Sequence, residues 1–461
     1  MIFAKKQLQI TEGKILPNTI RYTIPIIFTN LLQVFYVSAG MFVLGNFSGN
    51  ENALGSVGNA NTIVNLILSI FIGFGAAVNI VVSEAIGAGD KARAKRAVHT
   101  SVLLALILGA VVGVVGYIFA PTFLTWMGTD VAFFEGSVQY MQIYFAGTIA
   151  NLLYFFCAGI LRAKGDAVHP LVFSTIGGLC NVLLNLLFVI VFGMDVDGVA
   201  YATVAAQVIQ AVLIVVYMFG RDTDDPCGLN MKEFGFDLRV FKDLFFIGMP
   251  LVIRSAAFGF SNIIIQVGIN SLLPIYVTAN TAAYNIESYI YNVLNAFHHT
   301  ALTFTAQNYG ARKLPRMKKT MYTLMATVTV IGLILGGLAV IFAEPLVAIF
   351  TKVPEAVPLG RIKLLYVAIP YLVCGITEVL TAMLASLGYS GLSTIICLAG
   401  VCGIRIAWVY TVFQKFHTFE MLFFSYPLSW SVTAIVLYIA TLVGYKKKAA
   451  ILSEKGLLDP T

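Results

Sequence analysis

Twelve apolar runs govern what this chain can become, because each is long enough to cross about 30 Å of hydrocarbon at about 1.5 Å of helical rise per residue. They cover residues 22–44, 62–82, 97–119, 133–160, 171–192 and 199–219. After a polar break come 244–269, 277–305, 321–342, 364–387, 392–412 and 421–443. Inside a bilayer only helices and closed barrels satisfy every backbone polar group, and unbroken runs of this length predict helices. The expected fold class is an all-α integral membrane protein with 12 transmembrane helices. Composition agrees: hydrophobic residues make up 59% of the chain and charged residues 11%, with a mean hydropathy of +0.88, far from the balance of a soluble domain. The net charge of +7 does not point to nucleic acid, since the cations sit in short loops between apolar runs and form no stripe with interleaved aromatics.

The runs divide six and six, and two polar loops argue for duplication. Residues 83–96 (SEAIGAGDKARAKR) and 306–319 (AQNYGARKLPRMKK) align at one displacement that sets Gly87 and Ala88 on Gly310 and Ala311, Arg93 on Arg316 and Lys95 on Lys318. The same displacement sets Leu161 and Gly165 of LRAKGD on Leu384 and Gly388 of LASLGY, and Pro25 precedes Pro250 by nearly the same interval. The expected organisation is an N-lobe over 1–219, a cytoplasmic linker over 220–242, a C-lobe over 243–445 and a cytoplasmic tail over 446–461. Six spans per half return each repeat to the same side, so the two six-helix lobes are expected to be related by a pseudo-two-fold rotation about the membrane normal.

Positive loops mark the cytoplasmic side. One side holds Lys5, Lys6, Lys14, the first basic loop, Arg162, Lys164, the linker cations Arg221, Lys232, Arg239 and Lys242, the second basic loop and Lys446–Lys448. Both termini are therefore expected in the cytoplasm of a plasma-membrane protein. Lys352, Arg361, Lys363 and Lys415 are exceptions, assigned to the opposite side. The N-terminal residues lack the apolar core and cleavage site of a signal peptide, so the first span is expected to stay attached. The six cysteines show neither disulfide nor metal spacing.

Four charges remain within the spans: Arg254 in the seventh, Glu287 in the eighth, Glu378 in the tenth and Arg405 in the eleventh. A charge at depth costs about 3 kcal/mol or more and commonly faces a cavity or another charge. These four are the candidates for cation coupling or substrate binding, with Arg254 expected beside Glu378, and Arg405 beside Glu287 or a nearby carbonyl. As bare ion pairs they would be neutral staples in a helix bundle. The first half offers only neutral groups, among them Gln33, Tyr36, Asn181 and Asn185. With Tyr284 and Tyr291 these are cavity candidates, although such amides often serve as interhelical glue and aromatics usually pack. His298 and His299 have no ligand-spaced partners, so no metal site is expected.

Several stretches resemble the multidrug and toxic compound extrusion (MATE) family across nearly the whole chain. They are TEGKI before the first span, IPIIFTNLLQVFY within it, LRAKGD after the fourth, DGVAYATVAAQ opening the sixth, LTFTAQNYGARK closing the eighth and GVCGIRIAWVYTVF in the eleventh. The resemblance implies a V-shaped pair of six-helix lobes that exports amphipathic, often cationic compounds against proton or sodium entry. The family's first-helix pattern resembles YNxxDxxxVG, whereas residues 36–45 read YVSAGMFVLG and leave Gly40 at the aspartate position. Asn185 of NVLLNLLF stands where many relatives look like NxxLDxxF, and Phe258 stands where some carry a glutamate. Coupling is thus expected to lean on Glu287 and Glu378.

A secondary transporter is the expected function, coupled to H+ or Na+, acting as a monomer on a small molecule in the lipid bilayer and needing no cofactor. A lipid-linked saccharide flippase is the alternative, since unpaired cavity arginines would suit a pyrophosphate. A channel lacks a filter motif, and an enzyme lacks a nucleophile with base and orienter.

Overall fold

The computed structural model describes residues 8–222 and 224–456, and every regular element among them is helical. Lys5, Lys6, linker residue Thr223 and tail residues 457–461 lie outside the described residues. The elements are α1 (Ile15–Phe47), α2 (Ala53–Gly87), α3 (Lys91–Trp126), α4 (Val131–Ala146), α5 (Thr148–Ala163), α6 (Val168–Leu186), α7 (Val196–Phe219), α8 (Leu238–Asn270), α9 (Pro274–Gly310), α10 (Leu314–Ile341), α11 (Ala343–Phe350), α12 (Ala356–Val367), α13 (Tyr371–Leu384), α14 (Ser390–Cys397), α15 (Ile404–Trp408), α16 (Gln414–Phe416) and α17 (Phe419–Glu454).

Several spans are not simple rods. The fourth breaks at Gly147 into α4 and α5, which meet at 51°. The tenth is assembled from α12 and α13 across a break at residues 368–370. The tenth and eleventh run on through Gly388, whose φ of 85° makes a tight corner. Among the described residues nine helices meet a simple length-and-apolarity test for crossing a membrane, or ten with the bent pair. The shortfall has a physical source: the run Tyr371–Phe416 counts once although it turns at Gly388, and α9 is diluted by Glu287, His298, His299 and several asparagines.

Packing divides the chain into two compact units, Phe28–Phe246 and a second made of Leu8–Ile27 with the chain from Ile247 onward. Each unit repeats the same internal contacts at the displacement that aligns the basic loops. In the first, a Cβ on Gly109 would lie 2.7 Å from Ile149 Cα, and one on Gly113 would lie 2.9 Å from the Phe145 carbonyl oxygen. In the second, a Cβ on Gly332 would lie 2.8 Å from Leu372 Cα and one on Gly336 would lie 2.2 Å from the Ala368 carbonyl oxygen. Small residues four apart let two helix backbones touch, which drives association where lipid supplies no hydrophobic effect between helices. Here each glycine pair of α3 or α10 seats the break in the neighbouring bent span.

The two basic loops are also copies in conformation. α2 ends at Gly87 and α9 at Gly310, and each is followed two residues on by a left-handed residue, Gly89 with φ 72° and Arg312 with φ 61°. The cations that follow open α3 and α10. In the first unit Arg93 bridges Glu84 and Asp243, Lys95 meets Glu233 and Arg96 meets Asp237, so the collar holds the segment leading into α8. In the second unit Arg316 donates to the carbonyls of Ile10, Glu12 and Gly13, which lead into α1. These charges therefore do more than bias orientation.

A second latch secures the start of the linker within the first unit. Arg221 donates to Asp225 at 2.7 Å, to Asp166 at 3.0 Å and to the Tyr217 hydroxyl at 2.7 Å, while Lys164 pairs with Asp225 and His169 with Asp166. Burial alone would raise the Asp166 carboxyl, but hydrogen bonds from His169 and the charge of Arg221 hold it below its ordinary value. Cys227 lies beneath this network, fully buried, and burial pushes its thiol up to about 12.

Candidate functional site

Glu287, Tyr291 and His298 stand at i, i+4 and i+11 on α9, positions that share one face at 3.6 residues per turn. That face carries Glu287, which meets Lys363, and His298, which meets Glu378. Glu378 of α13, 4% exposed, accepts a hydrogen bond from Arg254 of α8 at 3.4 Å. Oε2 of the same carboxylate lies 3.0 Å from His298 Nδ1, and that nitrogen is also 3.1 Å from the Glu378 backbone carbonyl. The Arg254 guanidinium is 5.9 Å from the ring centre of Phe258. Depth along the helices correctly brings Arg254 to Glu378. No metal-ligand spacing surrounds His298 in the sequence; its signal there is the α9 stripe it shares with Glu287 and Tyr291.

The second expected pair differs from what depth suggested. Glu287 is paired with Lys363 of α12 at 3.3 Å, and Lys363 also donates to the Asn280 carbonyl at 3.3 Å. Lys363 is only 2% exposed, with its ammonium 5.2 Å from the ring centre of Phe423 and 5.5 Å from that of Tyr284. Its assignment to a polar loop is therefore corrected. The reason is that α12 begins at Ala356, so Lys363 falls on the buried stripe Ala356, Gly360, Lys363 and Val367. Arg405 of α15 instead stacks on Tyr426 at 3.9 Å and Trp430 at 5.2 Å and donates through Nε to Ser429 Oγ at 3.2 Å. Aromatic faces and one hydroxyl take the place of the expected carboxylate or carbonyl.

Two of the neutral candidates of the first unit, Asn181 and Asn185, are joined to each other. Asn185 donates to Asn181 at 3.0 Å, and a Cβ added at Gly40 would lie 3.2 Å from Asn185 Nδ2. The two positions where the resemblance anticipates aspartates thus face each other, and both are neutral. A Cβ on Gly178 would strike the Tyr36 ring, whose hydroxyl reaches the Thr175 carbonyl at 3.5 Å. Gln33 lies one helical turn before Tyr36 on α1 and is half-buried. A further group, not anticipated, centres on Tyr144, whose hydroxyl accepts from Asn151 at 2.9 Å and Gln207 at 3.2 Å. Tyr284 and Tyr291 stay partly exposed, at 60% and 38%. Among the described residues no group of three His, Cys, Asp or Glu side chains is placed to hold a metal ion.

Comparison with known proteins gives concordant results. A family model described as MatE matches residues 25–187 and 250–411, one match in each half. The chain is 25% identical to the Probable multidrug resistance protein YoeA of Bacillus subtilis (strain 168), over 95% of this chain and 97% of that protein. It is 22% identical to the multidrug export protein MepA of Staphylococcus haemolyticus, over 84% of this chain and 85% of the other. The fold matches a solved outward-facing multidrug resistance MATE family transporter with a TM-score of 0.88 at 21% identity, covering 97% of this chain and 99% of that one.

Proposed function

The chain belongs to the MATE family of multidrug efflux transporters, and from that membership we propose that it exports amphipathic, cationic compounds in exchange for protons through the ion cluster around Glu378. It is a transporter and not an enzyme. The observation that carries the reading is one buried carboxylate shared by a permanent cation, Arg254, and a titratable one, His298. Sodium favours a cage of several oxygen donors, whereas Glu378 already has its charge met by a guanidinium. The Arg254–Glu378 pair and the aromatic seat of Arg405 leave little for a pyrophosphate to engage, which weighs against a flippase. Aromatic side chains with partial exposure, such as Tyr284 and Tyr291, suit flat cations. The same reading has the protein act as a monomer in the plasma membrane with both termini in the cytoplasm.

The test is uptake of ethidium by reconstituted protein with proton and sodium gradients imposed separately. A proton gradient alone should drive accumulation, and Glu378→Gln should abolish it at normal folded yield. Because Gly40 can neither bind a proton nor coordinate sodium, the wild-type chain should transport without an aspartate there. Accumulation driven only by sodium, or undiminished export by both Glu378→Gln and Glu287→Gln, would end the proposal.

A further inference from the structure

We propose that the proton is carried on Nε2 of His298, with Glu378 remaining an anion throughout the cycle as the residue that positions the ring. This rests on the proton-coupled reading above and names the atom that reading leaves open.

Hydrogen-bond chemistry fixes the ring's protonation pattern. His298 Nδ1 lies 3.1 Å from a backbone carbonyl oxygen, which can only accept, and 3.0 Å from an ionised carboxylate, which can only accept. Nδ1 must therefore carry hydrogen in the neutral ring. The lone pair is then on Nε2, and protonation there yields an imidazolium already oriented by two acceptors. Glu378 is the poorer carrier, because Arg254 Nη1 approaches the same oxygen at 3.4 Å and a guanidinium does not deprotonate in a protein. Adding a proton to Glu378 would leave Arg254 buried beside a neutral acid. Adding it to His298 keeps the arginine paired and gives the carboxylate a second cation.

The thiols and the phenol around the cluster do not compete for the role. Tyr291 on α9, Cys374 on α13 and Cys397 on α14 lie around the cluster, and His299 meets the His298 ring edge-on with ring centres 5.8 Å apart; thiols and phenols are ordinarily neutral near pH 7. Of the ionisable groups on other helices packed against α9, Lys363 pairs with Glu287, Glu344 with Arg361, Arg316 donates to carbonyls near the start of α1, Lys318 stands over the Tyr445 ring, Tyr322 meets the Tyr438 hydroxyl and Tyr371 packs on Trp430.

The exchange follows from charge. With the ring neutral, Arg254 and Glu378 sum to zero, and a cationic substrate is tolerated nearby. When water on the outer face donates a proton to Nε2, the cluster becomes +1 and repels that substrate. Loss of the same proton to water on the inner face resets it. Proton and cationic substrate thereby exclude each other without sharing an atom.

The decisive variant is His298→Asn, whose amide NH2 can still donate to the carbonyl and carboxylate but which has no titratable nitrogen. It is assayed in full-length protein reconstituted in liposomes at matched folded yield. It should lose proton-driven ethidium accumulation and the accompanying lumenal pH change. Accumulation by His298→Asn equal to wild type, with Glu378→Gln inactive, would overturn the proposal while leaving proton coupling standing. Wild-type protein insensitive to a proton gradient would overturn both. Should the variant fold poorly, 15N-histidine spectra of the wild type still decide: one ring must hold hydrogen on Nδ1 at high pH and gain a second on Nε2 across the range where transport switches on. A ring that stays neutral through that range refutes the assignment.

Discussion

The Lys363 ammonium lies 3.3 Å from the Glu287 carboxylate, with 2% and 3% of the two residues exposed, so α12 and α9 are joined by a fully desolvated ion pair. Breaking such a pair from one side commonly costs about 3–5 kcal/mol because it leaves an uncompensated buried charge, while replacing both partners is far milder. Lys363→Met and Glu287→Gln should each lower the detergent-solubilised unfolding temperature markedly, and the double variant should recover most of the loss. Additive losses in a double-mutant cycle would show that the pair is not coupled.

Gly336 has no room for a side chain, because a Cβ there would stand 2.2 Å from the Ala368 carbonyl oxygen, which is backbone and cannot swing aside. Gly336→Ala should force α10 away from the α12–α13 break. A destabilisation of about 1–3 kcal/mol or more is expected, against little change for Gly337→Ala, whose added methyl meets nothing within 4 Å. Equal folded yields and melting temperatures for the two variants would contradict this packing.

Arg312 occupies with φ 61° the position that glycine fills in the other repeat, where Gly89 has φ 72°. A side chain in the left-handed region costs on the order of 1 kcal/mol. Arg312→Gly should therefore raise thermal stability by a comparable amount despite removing a charge. A lower melting temperature would mean that the arginine contributes more through contacts than its backbone loses.

The latch around Asp166 is expected to outlast mild acid. Burial would raise its carboxyl, but His169 and Arg221 leave it depressed, and Asp225 is likewise held low by Lys164 and Arg221 against the effect of burial. A depressed folded value means that stability is present above the ordinary carboxylate range and is lost as pH falls through the lower folded value. Hydrogen exchange across residues 224–228 should stay slow at pH 5 and quicken only below about pH 4. Asp166→Asn at neutral pH should expose Cys227, raising maleimide labelling by roughly tenfold for each 1.4 kcal/mol of easier opening. Unchanged labelling would show that the thiol is sealed by something else.

Hydropathy and loop charge were enough to recognise a membrane-spanning helical chain, since about 20 apolar residues in lipid leave the backbone few alternatives. The duplication was legible too, because the glycine that closes each hinge helix and the cations that open the next helix answer local needs of the backbone. Depth counted along single helices even paired Arg254 with Glu378. Tertiary structure decided the rest. Whether Lys363 lay in a loop or in the core depended on where α12 begins, a boundary that hydropathy blurs. Whether Arg405 met a carboxylate or aromatic rings depended on the rotation of α15 against α17. His298 became part of the site only when α9 and α13 packed side by side, since the partner that sets its tautomer is a backbone carbonyl far away in the chain. Carbonyls are the same in every residue, so no pattern of side chains announces which one a histidine will meet.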